Sequence, residues 1–359
     1  MEKEITITKE QYDKLNDYYN KICLYLSFDD GIFLSNLYPF GYIASKVKDL
    51  LENVDLEKTL QDDCFSFLEI FDKAKDLMKK IAPDYVDDFN NIMSNGILDV
   101  NYDRLNIPYK ERKIGQSYYS NKNTNKPSIE IDESFNYDAI AVLIHEYFHK
   151  SNDSKNRTRY LLTEFISIYF EMYTYELLKQ EGIETDRLDI KFRLNDLYEC
   201  SDFINDKAFF LYTYDQLGNF DDNTYKFINY VRITKEEFDK DLLYELQDFE
   251  KKEDRYNKNE NIKKRYPIID YYLSQEYSQD YKYFMGALLA YYSLYHLNKE
   301  DVLRLNEALI KNQKITFKEA LKVLGISIND EFIDECINCV ERYVDENDLY
   351  KKEEDIKKM

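Results

Sequence analysis

The apolar positions of this chain recur mostly at helical spacing. In TKEQYDKLNDYYNKICLYL, Tyr12, Leu15, Tyr19 and Ile22 fall three or four residues apart, and Thr8 and Gln11 have capping-box spacing, which predicts an opening amphipathic helix. YIASKVKDLLENV predicts a second helix and CFSFLEIFDKAKDLMKKI a third, with Phe65, Leu68, Phe71 and Leu77 as its apolar stripe. Between about 96 and 135 the pattern changes. KIGQSYYS and PSIEIDE are short β-favourable runs separated by the turn-forming NKNTNK, which predicts a hairpin at about 112–133. Helical patterning then returns, first at about 137–151, next through RYLLTEFISIYFEMYTYELLKQEG and later in YFMGALLAYYSLYHL. The charge-rich FEKKEDRYNKNENIKKRY reads as an exposed connection. The expected fold is mainly α with a small β-hairpin, divided into an N-terminal helical lobe over 1–95 and a second domain over 96–359.

Composition narrows the picture. With 8 Gly and 5 Pro in 359 residues, long uninterrupted elements are expected, and the length suffices for one large domain or two ordinary ones. The balance of 49 Lys+Arg against 70 Asp+Glu gives a net charge of −21, a field that repels nucleic acid and anionic membranes, so neither partner is expected. No basic-then-apolar leader opens the sequence and no window nears the roughly 18 apolar residues of a spanning helix, so a soluble, cytoplasmic protein is expected. Five cysteines are too few and odd in number for a disulfide framework, which fits a reducing compartment. Cys336 and Cys339 form a C-x-x-C inside the helical pattern DEFIDECINCVERYVDE and read as two half-buried helix cysteines in preference to a redox or metal pair.

Two of the chain's three histidines sit together in DAIAVLIHEYFHKSND. In a helix, His145 and His149 lie one turn apart, about 5–6 Å between Cβ atoms, so both imidazoles can reach one metal ion. Glu146 then stands beside the metal, placed as general base for a zinc-bound water. The competing reading is a buried helix with incidental histidines. Burying two imidazoles and a carboxylate without partners is costly, and chance assembly of H-E-x-x-H in a chain with so few histidines is rare, which favours the metal site. Zinc hydrolases take three protein ligands and leave a fourth position for water. His296 is far along the chain, so a carboxylate must be the third ligand. Glu164 and Glu171 both interrupt an apolar helix; Glu164, 15 residues beyond His149, suits the metal after a short loop. Glu171, two turns further on, suits an acceptor that holds a ligand histidine, against the alternative of a surface glutamate.

From about 65 to 345 the chain resembles the catalytic part of the oligoendopeptidase F family, within the wider thimet-oligopeptidase group of zinc peptidases. ILDVNYDRLNIPYKERKIGQSYYS resembles the approach to that family's hairpin, PSIEIDE its edge strand beside the active-site helix, and LLTEFISIYFEMYTYELL its ligand helix, with Glu164, Ser167 and Glu171 at the family's positions. YKYFMGALLAYYSL and ITFKEALKVLGISINDEF are similar to the family's closing segments. The resemblance implies a multi-helical zincin-type metallopeptidase enclosing a peptide-sized channel, with His145, His149 and Glu164 as ligands of one zinc and Glu146 as base. It also places Tyr281 and Tyr283 before the family's glycine, here Gly286, as candidate hydrogen-bond donors to the oxyanion, a packing role being the alternative. There are departures. Phe148 stands where the family has Gly, the link from His149 to Glu164 is shorter, and much of the usual N-terminal half is missing, which implies a more open cleft. Near RYPIID, where a histidine commonly supports the tetrahedral intermediate, the chain has Ile268.

The function these residues point to is a zinc-dependent endopeptidase or oligopeptidase acting on short or unfolded peptides, an extended substrate being held along the edge strand SIEI. The alternative is a catalytically weak peptide-binding or regulatory protein derived from such an enzyme.

Overall fold

The computed structural model describes residues 65–101, 115–118, 128–132, 137–151, 160–183, 254–263, 279–312, 315–327 and 331–347, with isolated positions at 46–47, 50–51, 54, 185, 193–194, 197–198, 251 and 349. The opening helix expected around Tyr12, and Ile268, lie outside them. Residues 53–196 with 282–359 form one compact unit, and 1–52 with 197–281 another. The fold is mainly helical. No described helix is long and apolar enough to cross a membrane.

Helix α1 (Phe67–Ile81) starts at a capping box that the sequence reading passed over: the Ser66 Oγ accepts the Glu69 amide, and the Glu69 carboxylate accepts the Ser66 amide at 2.8 Å. Its buried stripe is Ile70, Phe71, Ala74, Leu77, Met78 and Ile81. Leu68, expected in the stripe, is 62% exposed, because it sits about 120° around the helix from the middle of that face. Helix α2 (Val86–Ser94) ends at Gly96, whose φ of 63° is left-handed and lets the Ile97 amide return to the Ile92 carbonyl at 2.9 Å. That closure turns the chain into strand β1 (Leu98–Asn101).

Strands β2 (Gly115–Tyr118) and β3 (Ser128–Asp132) run antiparallel, with Ser117 opposite Ile129, while β1 pairs with β3 in parallel, Leu98 opposite Ile129. The order β1-β3-β2 makes SIEI the central strand, a correction to its expected place at an edge: the segment read as an approach to the hairpin supplies a third strand on its outer side. Ile129 and Ile131 share one face of β3 and are buried.

Helix α3 (Asp138–Ser151) packs against α1, against β2 and β3, and against the long helix α4 (Tyr160–Gln180). Being enclosed on several sides, it is apolar nearly all round, as such helices must be. Contacts between α3 and α4 pair Asp138 with Tyr175, Phe148 with Phe170 and His149 with Glu164, an order that reverses along the two chains and so defines an antiparallel pair. Tyr175 donates to the buried Asp138 carboxylate at 2.7 Å, which fixes the register. Further on come α5 (Gln279–His296), α6 (Lys299–Lys311), α7 (Phe317–Val323), capped by Thr316 and Glu319, and α8 (Phe332–Glu346). Cys336 and Cys339 lie in α8 and are buried, not half-buried, since both fall on its packed face. The exposed connection around 254–263 carries short helical turns instead of plain loop; local charge pairs such as Lys258 with Asp254 occupy successive turns.

Candidate metal centre

One turn of α3 separates His145 from His149, and their Nε2 atoms stand 2.9 Å apart. The Glu164 Oε2, brought in by α4, is 3.2 Å from the His149 Nε2. Metal–ligand bonds of about 2.0–2.1 Å in a tetrahedron put neighbouring donor atoms about 3.3 Å apart, so these spacings match the edges of a zinc coordination polyhedron. Two neutral imidazoles and one carboxylate are also the donor chemistry that zinc takes in hydrolytic sites. The residues therefore fit the ion. All three are buried or nearly so.

Behind His145 lies Glu171, only 2% exposed. Its Oε2 is 2.7 Å from the His145 Nδ1, so the imidazole that donates there presents its Nε2 lone pair to the centre. Glu171 has a second partner that sequence reasoning missed. Arg193 donates from Nη2 at 2.8 Å and from Nε at 3.2 Å to the same oxygen. Burial alone would raise the Glu171 pKa, but the Arg193 charge and the hydrogen bonds from Arg193 and His145 outweigh it and hold the carboxyl well below the usual carboxylate range. Arg193 follows a segment without strong periodicity, in KFRLNDL, and the available signal was indirect: a carboxylate inside an apolar helix requires a cation, though nothing in the sequence says which one.

Glu146 is buried at 7% exposure, yet its carboxylate makes no hydrogen bond to any described residue. It thus differs from Glu171, which is fully engaged. The Phe148 ring stacks on Phe170 at 4.0 Å and 15° and fills the α3–α4 interface that a glycine at this position would leave open. Gly286 brings α5 against the ligand helix: a Cβ there would lie 3.1 Å from the Phe165 amide nitrogen and 3.3 Å from the Glu164 Cβ. Tyr283 is half-buried one turn before it, while the Tyr281 side chain lies outside the described residues. The structure therefore brings together His145, His149, Glu164, Glu146 and Glu171, and it adds Arg193. It does not bring His296 to them; that side chain pairs with Glu335 instead.

No family model and no curated protein matches the chain. Among solved structures it is similar to a protein of Bacillus anthracis str. Ames described as an oligoendopeptidase F, with 14% sequence identity and a TM-score of 0.46. The match covers 93% of this chain and 56% of the other, so the chain spans little more than half of that protein's length.

Proposed function

We propose that this chain is a zinc-dependent peptide hydrolase, an endopeptidase or oligopeptidase for short or unfolded peptides. The observation that carries this reading is the convergence of the His145 Nε2, the His149 Nε2 and the Glu164 Oε2 beside an uncommitted buried carboxylate, Glu146. When bound, zinc supplies Lewis acidity that polarises the scissile carbonyl and eases deprotonation of a water. His145, His149 and Glu164 hold the ion. Glu171 and Arg193 keep the His145 ring oriented. Glu146 accepts a proton as the water oxygen bonds to the carbonyl carbon, and it delivers that proton to the amine nitrogen as the C–N bond breaks. An extended substrate adds its backbone to β2, the edge strand that lies along α3, in place of the central SIEI strand.

The test is Glu146→Gln, which keeps the side chain's size but removes its basicity. Zinc content should stay at the wild-type value, and turnover of a quenched fluorescent peptide should fall about 10²–10⁴-fold. Wild-type protein that binds peptides without turnover, and is unaffected by the substitution, would establish the binding-protein alternative. Robust cleavage that survives Glu146→Gln would place the base elsewhere.

A further inference from the structure

A second group of donors converges at the other end of α5. His296, the last residue of that helix, sets its Nε2 3.0 Å from the Glu335 Oε1 on α8. One turn on, Cys339 shares a face of α8 with Glu335. One donor atom from each of His296, Glu335 and Cys339 lies within 4.8 Å of the other two. The imidazole is held by stacking on Tyr292, centroids 4.6 Å apart and planes 22° from parallel, and Tyr292 is itself packed edge-on against Phe332 at 5.1 Å. Asn338 donates to the Glu335 Oε2 at 3.3 Å, leaving Oε1 directed at His296. On the same pair of helices, the Tyr295 hydroxyl donates to Glu346 at 2.9 Å, a second side-chain contact between them.

We propose that His296, Glu335 and Cys339 form a second divalent-cation site, which takes zinc through imidazole, carboxylate and thiolate and clasps the end of α5 to α8. It uses none of the residues assigned to the hydrolytic centre and stands independently of that reading. Gly286, against Glu164, and His296 are ten residues apart on one helix, about 15 Å along its axis.

The thiol chemistry separates this reading from a redox role for the C-x-x-C. Reactive cysteines sit at helix N-termini or beside cations, where the thiolate is favoured. Cys336 and Cys339 are in the body of a 15-residue helix and are free. Burial, reinforced by Glu335 and only partly offset by Arg342, pushes the Cys339 thiol up to about 12, and burial raises Cys336 as well. Neither is therefore a ready nucleophile. A divalent ion changes the balance for Cys339 alone, because it supplies the counter-charge: the thiol proton leaves to solvent as the Sγ–metal bond forms. One thiolate, one carboxylate and a neutral imidazole then cancel the charge of Zn²⁺. The sulfur donor disfavours Mg²⁺ and Ca²⁺, which take oxygen. His296 and Glu335, 40% and 44% exposed, leave a solvent-facing side for the fourth ligand and an entry path.

Cobalt distinguishes the two centres. Co²⁺ bound through sulfur gives an intense thiolate-to-metal charge-transfer band in the near ultraviolet, whereas His145, His149 and Glu164 offer no sulfur. Titration of the full chain with Co²⁺ under reducing conditions should produce that band in the wild type and equally in His145→Ala/His149→Ala. It should persist in Cys336→Ala, disappear in Cys339→Ala, and be bleached by added Zn²⁺. His296→Ala, a change at an exposed side chain that leaves the core intact, should weaken Co²⁺ binding by about 100-fold or more, beyond the 10–100-fold typical of residues that merely orient a ligand. Zinc should also raise the melting temperature of His145→Ala/His149→Ala, and this rise should vanish when His296→Ala is added. A wild type that shows no sulfur band, a band that survives Cys339→Ala, or Co²⁺ affinity unchanged by His296→Ala would each overturn the site.

Discussion

His145, His149 and Glu164 meet between two helices packed on most sides, whereas two of the three donors in the His296, Glu335 and Cys339 cluster are about two-fifths exposed. The difference extends to what stands behind each set. The first centre has a buried carboxylate, Glu171, engaged by His145 on one side and Arg193 on the other. The second has a stacked tyrosine and one asparagine amide. A preorganised centre in a low-dielectric interior suits catalysis, which depends on donors that need not rearrange during reaction. A shallow centre that crosslinks two helices suits a structural ion, whose binding energy adds directly to the stability of the folded state.

The largest effect that would break this contrast is at the first centre itself. His145→Ala/His149→Ala should remove the hydrolytic zinc and with it peptide turnover, while leaving the cobalt–thiolate band of the second. Elemental analysis after dialysis against a weak chelator is expected to give one zinc fewer than the wild type. Equal zinc contents in the two proteins would mean that the ion resides elsewhere.

Next in size is Arg193→Leu. Glu171 would remain buried with only His145 as partner, and breaking a buried pair from one side costs about 3–5 kcal/mol. Chemical denaturation should register that loss. Zinc affinity at the first centre should fall about tenfold, because the carboxylate that orients His145 is no longer held. Arg193→Lys keeps the charge but not the two-nitrogen donor and should recover part of both. If affinity stays at the wild-type value while stability falls, Arg193 braces the fold without tuning the metal.

How far each centre was legible follows from how its residues are distributed. HEYFH, held within one helical turn, carries its geometry in its spacing, and Glu164 and Glu171 stood out as charges in an apolar helix. Arg193 did not, because exposed arginines are ordinary and only the fold reveals that this one reaches a buried carboxylate. The second cluster joins residues about 40 positions apart, and C-x-x-C drew notice as a pair although only Cys339 belongs to it. SIEI is expected at an edge from the family resemblance, and the sequence offers nothing against it, because the parallel partner at 98–101 is a non-local pairing with no turn chemistry to announce it. Leu68 was misplaced because one three-residue step of an apolar pattern does not distinguish the middle of a helix face from its far edge.

Gly286→Ala should have a moderate effect and sharpens the comparison from the α5 side. The new methyl would press on the backbone at Phe165 and on the Glu164 Cβ, at 3.1 and 3.3 Å, and backbone yields less readily than a side-chain end. Overpacking of this kind costs about 1–3 kcal/mol. The displacement falls on a ligand, so zinc affinity at the first centre should drop several-fold while cobalt binding at the second is unchanged. A loss of stability with full zinc affinity would reduce Gly286 to a packing role.

The smallest effect belongs to a contact at the far end of the ligand helix, seventeen residues beyond Glu164, and serves to separate local from general destabilisation. Glu181, just beyond α4, accepts hydrogen bonds from Lys73 and Lys80 of α1, and these contacts lower its pKa, Lys73 contributing most. Because the folded-state value is depressed, the stabilisation is fully present above the unfolded glutamate value of about 4.3 and is lost as pH falls through the lowered folded value. The pair is partly solvated, with Glu181 side-chain exposure of 26%, so its worth is about 0.2–1 kcal/mol and screens with salt. Glu181→Gln should therefore lower the melting temperature at pH 7 by about 2 °C or less. The gap from wild type should close as the solution is acidified below pH 4, and neither zinc affinity nor the cobalt–thiolate band should change. A shift in either metal signal would show that the α1–α4 contact reaches the ligand helix, so that the first centre's insulation is narrower than its burial implies.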